Sequence, residues 1–338
     1  MKKNISLIIP ALTSSFYLED FLINICSWSI LPKEIIIINT SNRAYNLSSY
    51  IKKKLRERKI NLKFILKKGL FPGAARNIGI YNSKFKYIAF LDMNTLPYSK
   101  DWLKNNFKYL IRKKLDGVYG QTFYLADSHK EFIVRASTYG KALLRTIPGS
   151  IFKRKVVLEV GKFSAVSRAG EDTDWLRRLD TKNLKIKKSL EPVYYKGLYN
   201  VNYSFIIKKW FRNYFFSSKL PHLNNQKNFY YLCIFLLSFL FVFNWNYSSL
   251  CLNNTLCLNQ KNEVFIPHIT KIFLLISFVF YMIIRGIIIP IKKKINIKYL
   301  FPYKFISITI FSFILDAVKS ITFLALVLLK ILNLKPKK

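Results

Sequence analysis

The chain has 338 residues, enough for one large domain plus further segments, and a formal charge of +39 from 56 basic and 17 acidic side chains. Ahead of residue 227, 42 basic and 15 acidic residues are spread through every stretch. That spread argues against a dedicated nucleic-acid groove; it fits a biased composition rich in Lys, Asn and Ile, or a basic face on anionic lipid. The four cysteines form no Cys-x-x-Cys pair and no histidine stands at zinc spacing, which excludes a zinc module.

In chain order, Ile5 to Pro10 reads as a strand closed by proline, and its apolar run is too short for a signal peptide. Phe16, Leu18, Phe21, Leu22, Ile25 and Trp28 then recur at helical spacing, with Cys26 in the same apolar pattern. Glu34 to Asn39 is a second strand that runs into a polar cluster, residues 45–58 are a basic helix, and Leu62 to Leu66 is a third strand. Pro72-Gly-Ala-Ala-Arg-Asn-Ile-Gly79 opens the next helix, with proline near its first position. Residues 86–92 form a fourth strand, a continuous apolar run that meets Asp92 and, two positions on, Asn94. A helix over 99–113, a strand from Asp116 to Thr122, and small residues at Gly149-Ser150 leading into another strand follow. Gly170-Glu-Asp-Thr-Asp-Trp175 then opens a helix, and residues 202–218 form an aromatic, basic one. Strands and helices alternate on short connections, so the fold class is α/β: a mostly parallel, Rossmann-like sheet flanked by helices. Gly-x-Gly-x-x-Gly is absent after the first strand, which removes the dinucleotide signature.

Composition changes near residue 227, dividing the chain into a domain over 1–226 and a C-terminal membrane region over 227–338. Apolar segments fall at about 229–250, 272–290 and 305–329. The second is broken only by Arg285. The third holds Asp316 and Lys319 three apart, and reads either as a span with a central ion pair or as a broken, re-entrant or interfacial piece. Lys292, Lys293, Lys294, Lys298 and Lys304 place the last loop on the cytoplasmic side; the loop at 251–270 has few charges and belongs outside. Cys251 and Cys257 lie in that outer loop, either paired or as free thiols. The N-terminal domain then faces the cytoplasm. The basic C-terminus also belongs inside, which three complete spans would not allow.

Three constellations carry chemistry. Asp92 and Asn94, at the carboxyl end of a buried strand, offer oxygen ligands to a hard divalent cation that bridges phosphates. Glu171, Asp172 and Asp174 hold three of the scarce acids within four positions; Asp172 suits a general base, and Asp174 suits helix-start chemistry. Arg76, at the start of its helix, could meet a phosphate. Each has an ordinary structural reading too, as a strand end, an acidic helix start and a tightly packed helix.

Their order resembles the family 2 glycosyltransferases of GT-A fold over about residues 4–215. The segments that carry the resemblance are Ser-Leu-Ile-Ile-Pro10, Glu-Ile-Ile-Ile-Ile-Asn39, the Pro72–Gly79 stretch, Phe-Leu-Asp-Met-Asn94, Gly149 to Phe163, and Gly-Glu-Asp-Thr-Asp-Trp175. The resemblance implies a nucleotide-diphosphate sugar donor, a divalent metal (Mg or Mn), and inversion at the anomeric carbon. By position it makes Asp92 and Asn94 the metal and diphosphate residues and Asp172 the catalytic base. Pro10, Ala11 and Asn39 border the base and ribose, and Arg76 is the basic residue of the donor site. Asn39, Asn94 and Ser164-Ala165 stand where relatives commonly carry acids. The membrane segments add an expectation of a lipid-linked or cell-envelope glycan acceptor at the cytoplasmic membrane. The alternative is a weakly catalytic or inactive membrane-bound glycan-binding scaffold.

Overall fold

A computed structural model describes residues 4–11, 15–42, 45–196, 198, 202–218, 220–242 and 268–332. The Cα packing divides it into two compact units. One comprises residues 1–131 and 141–201, the other 132–140 and 202–338.

The first unit is built on one sheet. In chain order its elements are β1 (Ile5–Ala11), α1 (Ser15–Cys26), β2 (Glu34–Asn39), α2 (Ser49–Glu57), β3 (Asn61–Leu66), α3 (Pro72–Asn82), β4 (Tyr87–Phe90), β5 (Thr95–Pro97), α4 (Trp102–Arg112) and β6 (Gly117–Tyr124). Then come α5 (His129–Ser137), β7 (Leu144–Lys153), α6 (Arg154–Val160), α7 (Glu171–Asp180), β8 (Ile186–Lys188) and β9 (Val193–Tyr195). The sheet runs β3-β2-β1-β4-β7-β6-β9-β5, with β8 on β6. Five pairings are parallel and three antiparallel, so the mostly parallel expectation describes the N-terminal half and gives way to a mixed sheet beyond β4.

Both faces of the central strands are covered, which is why they read as unbroken apolar runs. Side chains alternate across the sheet. On β4, Tyr87 and Ala89, with Leu91 beyond the strand, join the core under α1, α2 and α4; Ile88 and Phe90 join the core under α3, α6 and α7. Cys26 is buried in the first of these cores, as its helical pattern predicts. The same alternation turns Asp92, next after Leu91, toward α3 and α7. The strand itself ends at Phe90 rather than at the acid.

Helix α3 lies unusually close to the sheet. A Cβ placed on Gly79 would stand 2.4 Å from Ile8 Cγ2 and 3.0 Å from Ile38 Cδ1; one on Gly73 would stand 2.1 Å from the carbonyl oxygen of Ser164. These glycines let the backbone approach neighbours that a side chain would displace.

The second unit takes in the end of α5 and the elements α8 (Tyr203–Ser217), α9 (Asn224–Val242) and α10 (His268–Met282). A π-helical turn over Ile283–Ile288 joins α10 to α11 (Ile289–Lys292), and α12 (Lys304–Ile331) completes the unit. Lys271–Lys292 and Lys304–Leu329 are long and apolar enough to cross a membrane. The first apolar segment is described only to Val242, and Cys251, Cys257 and the rest of the loop expected outside lie beyond the described residues. The packing boundary falls at Asn202, ahead of the composition break near 227, because α8 lies along α12. Tyr203 meets Phe311 at 5.0 Å and Tyr214 meets Phe323 at 5.9 Å, ring centre to ring centre.

Gly79→Ala is expected to lower the stability of the first unit by about 1–3 kcal/mol, because its methyl group overpacks Ile8 and Ile38. Thermal unfolding of the full chain in detergent checks this; an unchanged midpoint would show that the interface gives way without cost.

Candidate active site

The carboxyl ends of β1, β2 and β4 lie side by side, where open α/β sheets bind ligands. Ala11 is in register with Asn39 and Pro10 with Ile38. On the other side of β1, Leu91 donates its amide to the carbonyl of Ile8. Pro10, Ala11, Asn39 and Asp92 therefore share one edge. Ala11 and Asn39 are fully buried there. The Asn39 Oδ1 accepts the amide of Ser41 at 3.0 Å, and Thr40 donates its amide and hydroxyl to the carbonyl of Ala11.

Asp92 is held by its own loop. Its amide donates to Thr95 Oγ1 at 2.8 Å, and that hydroxyl donates to the Asp92 carbonyl at 2.7 Å. Asn94 is exposed; its carbonyl accepts the amide of Lys196, just past β9, at 3.1 Å.

Helix α7 brings the second set of acids. Its cap, Gly170, adopts φ of 83° in the left-handed region, and no side chain caps the helix. Glu171 and Asp172 are thus free to point elsewhere. Asp174 pairs with Arg178 one turn on, at 3.1 Å, rather than capping the helix.

Arg76 ties both sets together. The Nη1 donates to Glu171 Oε1 at 3.0 Å and to Asp172 Oδ1 at 2.7 Å, while Nη2 donates to Asp92 Oδ1 at 3.0 Å and Oδ2 at 3.3 Å. Its side chain is only 2 % exposed. From its place at the start of the helix this arginine could meet a phosphate; here its guanidinium is enclosed by three carboxyl groups, with the Phe163 ring 5.6 Å away. Phe163 is fixed in turn. Asn77, the next residue of the same motif, exchanges two hydrogen bonds of 2.9 Å with its backbone, and Trp175 stacks on its ring at 5.0 Å.

Three carboxylates face one guanidinium. Burial would by itself lower the Arg76 pKa, but Asp172, Asp92 and Glu171 outweigh it and hold the group firmly charged. Burial, then the charge of Asp172, pushes Glu171 up to about 8 against the pull of Arg76, so near neutral pH it carries a proton. Asp92 is also pushed up, by crowding and by Asp172, against Arg76. That push is softened because 34 % of its side chain is open to solvent. The Asp172 side chain is 24 % exposed, and its Oδ2 accepts the amide of Ile147 at 3.4 Å.

No group of three or more His, Cys, Asp or Glu among the described residues is placed to hold a metal ion. The donor set is one carboxylate with an open side, Asp92, and the exposed amide of Asn94. Both are oxygen donors of the kind a Mg- or Mn-type cation takes, and they are too few to cage one. Glu171 as a buried partner of Arg76, and Thr95 as the clasp of the Asp92 loop, escape a reading of the sequence. The scarcity of acids was the one signal for Glu171.

Residues 6–172 match the family model Glycosyl transferase family 2, and this unit is a family 2 glycosyltransferase domain. Among solved structures, S. aureus TarS 1–349 is 14 % identical, with 66 % of this chain and 74 % of that one aligned at a TM-score of 0.44. The same protein with UDP-GlcNAc is 14 % identical over 62 % and 65 %, at 0.43. The mannosyltransferase PcManGT from Pyrobaculum calidifontis, with GDP-Man and Mn2+, is 12 % identical over 62 % of each chain, at 0.43. No curated protein matches the chain.

Because Glu171 holds its proton more tightly folded than unfolded, it contributes stability in full below its ordinary value of 4.5, and that stability fades as pH rises through about 8. Glu171→Gln is therefore expected to gain in melting temperature relative to wild type as pH is raised across this window. A difference that stays flat with pH would place the proton elsewhere.

Proposed function

We propose that the protein is an inverting glycosyltransferase that moves a sugar from a nucleotide-diphosphate donor to a hydroxyl of a lipid-linked or cell-envelope glycan acceptor. One observation carries this reading: a single rigid guanidinium, that of Arg76, binds Asp92 through one nitrogen and Asp172 through the other. The fork holds a donor-side and an acceptor-side carboxylate at a fixed separation, which is the geometric need of a displacement with two substrates.

In this scheme Pro10, Ala11 and Asn39 border the nucleoside. The acceptor hydroxyl loses its proton to Asp172 as its oxygen bonds to the anomeric carbon, and the bond from that carbon to the diphosphate breaks with both electrons on the leaving oxygen. Asp92 and Asn94 would hold a divalent cation, which neutralises charge on the diphosphate when bound. Arg76 touches neither substrate and is a positioning residue. Its two-sided grip cannot be reproduced by an ammonium. The helical unit favours attachment to the cytoplasmic membrane, with the basic loop from Lys292 to Lys304 and the catalytic unit on the cytoplasmic side. The scaffold reading draws on the neutral residues Asn39 and Asn94 and on Arg76 occupying both oxygens of Asp92.

A donor panel assayed on membranes, with and without divalent metal, separates the two. Asp172→Asn is expected to lower kcat about a hundredfold or more with little change in donor KM, as loss of a general base does. Asp92→Asn is expected to raise donor KM and the metal requirement, and Asn94→Asp to keep or raise metal affinity. Wild type without turnover of any donor, and indistinguishable from Asp92→Ala and Asp172→Ala, would overturn the enzyme.

A further inference from the structure

A departing diphosphate carries negative charge that the site must meet with cations. Arg76, beside Asp92, is already taken: its two terminal nitrogens are enclosed by Glu171, Asp172 and Asp92. A second cation stands on the far side of the Asp92 loop. Strands β5 and β9 pair antiparallel, with Leu96 opposite Tyr194 and Thr95 opposite Tyr195. One step further along this ladder Lys196 stands opposite Asn94 and donates its amide to the Asn94 carbonyl at 3.1 Å. Residues directly opposed in such a pair set their Cβ atoms about 4.5–5.5 Å apart on one face. The lysine and asparagine side chains therefore start side by side, and both residues are exposed.

The Lys196 ammonium lies 5.7 Å from the centre of the Tyr194 ring. That ring packs on Tyr98 at 4.6 Å, and Tyr98 stacks on Phe123 at 5.3 Å. An aromatic face steadies an ammonium without neutralising it. Among the described residues the ammonium forms no ion pair. Asn94 is part of the reason. An aspartate in its place would stand within reach of the lysine and pair with it, whereas the amide leaves the charge free. The sheet order fixes the direction as well. Pro10, Ala11 and Asn39 end β1 and β2 on one side of β4, and β9 and β5 lie on the other. A nucleotide whose base borders β1 and β2 directs its diphosphate across Asp92 toward Asn94 and Lys196.

We propose that Lys196 is the protein's own cation for the donor diphosphate. Its ammonium meets the phosphate that bears the leaving oxygen, so the site holds a diphosphate even when no divalent metal is bound. The inference rests on the glycosyltransferase reading, which supplies the diphosphate.

Calorimetric titration of the full chain in detergent tests this, with UDP, GDP, ADP, CDP and dTDP and the five corresponding monophosphates, in EDTA and then with Mn2+. In EDTA the wild type is expected to bind the diphosphate of its preferred base at least about tenfold more tightly than the monophosphate. Lys196→Gln should lose about tenfold in diphosphate affinity, the loss of one charge-assisted hydrogen bond, with the monophosphate unchanged. Lys196→Arg should keep most of the affinity. Asn94→Asp, which gives the lysine an anion, should weaken metal-free diphosphate binding as Lys196→Gln does. Lys155→Gln removes an exposed cation just past Lys153, which pairs with the amino end of β4, and should change nothing. An equal loss in Lys155→Gln would reduce the effect to overall charge and overturn the site. Diphosphate binding that is unchanged in Lys196→Gln, or that appears in the wild type only with Mn2+, would overturn the role of the lysine alone. A wild type that binds none of the nucleotides even with Mn2+ would overturn the glycosyltransferase reading with it.

Discussion

The first unit depends on one buried cation. Arg76 has almost no access to water, and such a charge persists in a folded chain only when its donors are met by anions. Asp92 of the β4 loop and Asp172 of the first turn of α7 meet them as anions, and Glu171, protonated near neutral pH, accepts from the same fork. Each carboxylate is in turn constrained by the fork of the guanidinium. The arrangement is mutual: removing the arginine leaves like charges crowded together, and removing the acids strands the arginine. A site built this way is rigid before any substrate arrives, which is what electrostatic preorganisation requires.

That interaction explains why α3 is packed as it is. Arg76 can reach both β4 and α7 only if α3 lies close against the sheet. Gly79 against Ile8 allows that approach, and Gly73 admits the Ser164 carbonyl of the loop before α7. Asn77 then clamps Phe163, whose ring lies against both the guanidinium and Trp175 of α7. Glycine spacing, amide clamp and aromatic stack thus serve the position of one side chain.

Much of this was legible as parts but not as an assembly. The apolar runs of β1, β2 and β4 are read directly because both of their faces are buried, and Asp92, Arg76 and Asp172 stand out as motif residues or scarce acids. Their joining was not legible. Arg76 is 16 residues from Asp92 and 96 from Asp172, and which charges pair at such separations is decided by tertiary packing. An arginine at a helix start is easily assigned to phosphate when its carboxylate partners are unseen. The three-residue strands β5, β8 and β9 are too short to leave a periodic signal. The packing of α8 with α12 is hidden for another reason: the composition breaks after α8, while its aromatic rings meet Phe311 and Phe323 far downstream.

The two units invert one another's charge balance. In the sheet unit Asp92 and Asp172 face one guanidinium, with Glu171 protonated beside them, so negative charge is in excess. In the helical unit two cations, Arg285 and Lys319, share Asp316. Neither imbalance is demanded by folding, since apolar residues of like volume would have been the less costly filling in both places. A chain of net charge +39 with only 17 acids has placed three of them around Arg76 and one among the helices. Glu34 is matched in the same way: fully buried, it meets Lys63 at 3.4 Å and accepts from the Ser6 hydroxyl and the Lys84 amide.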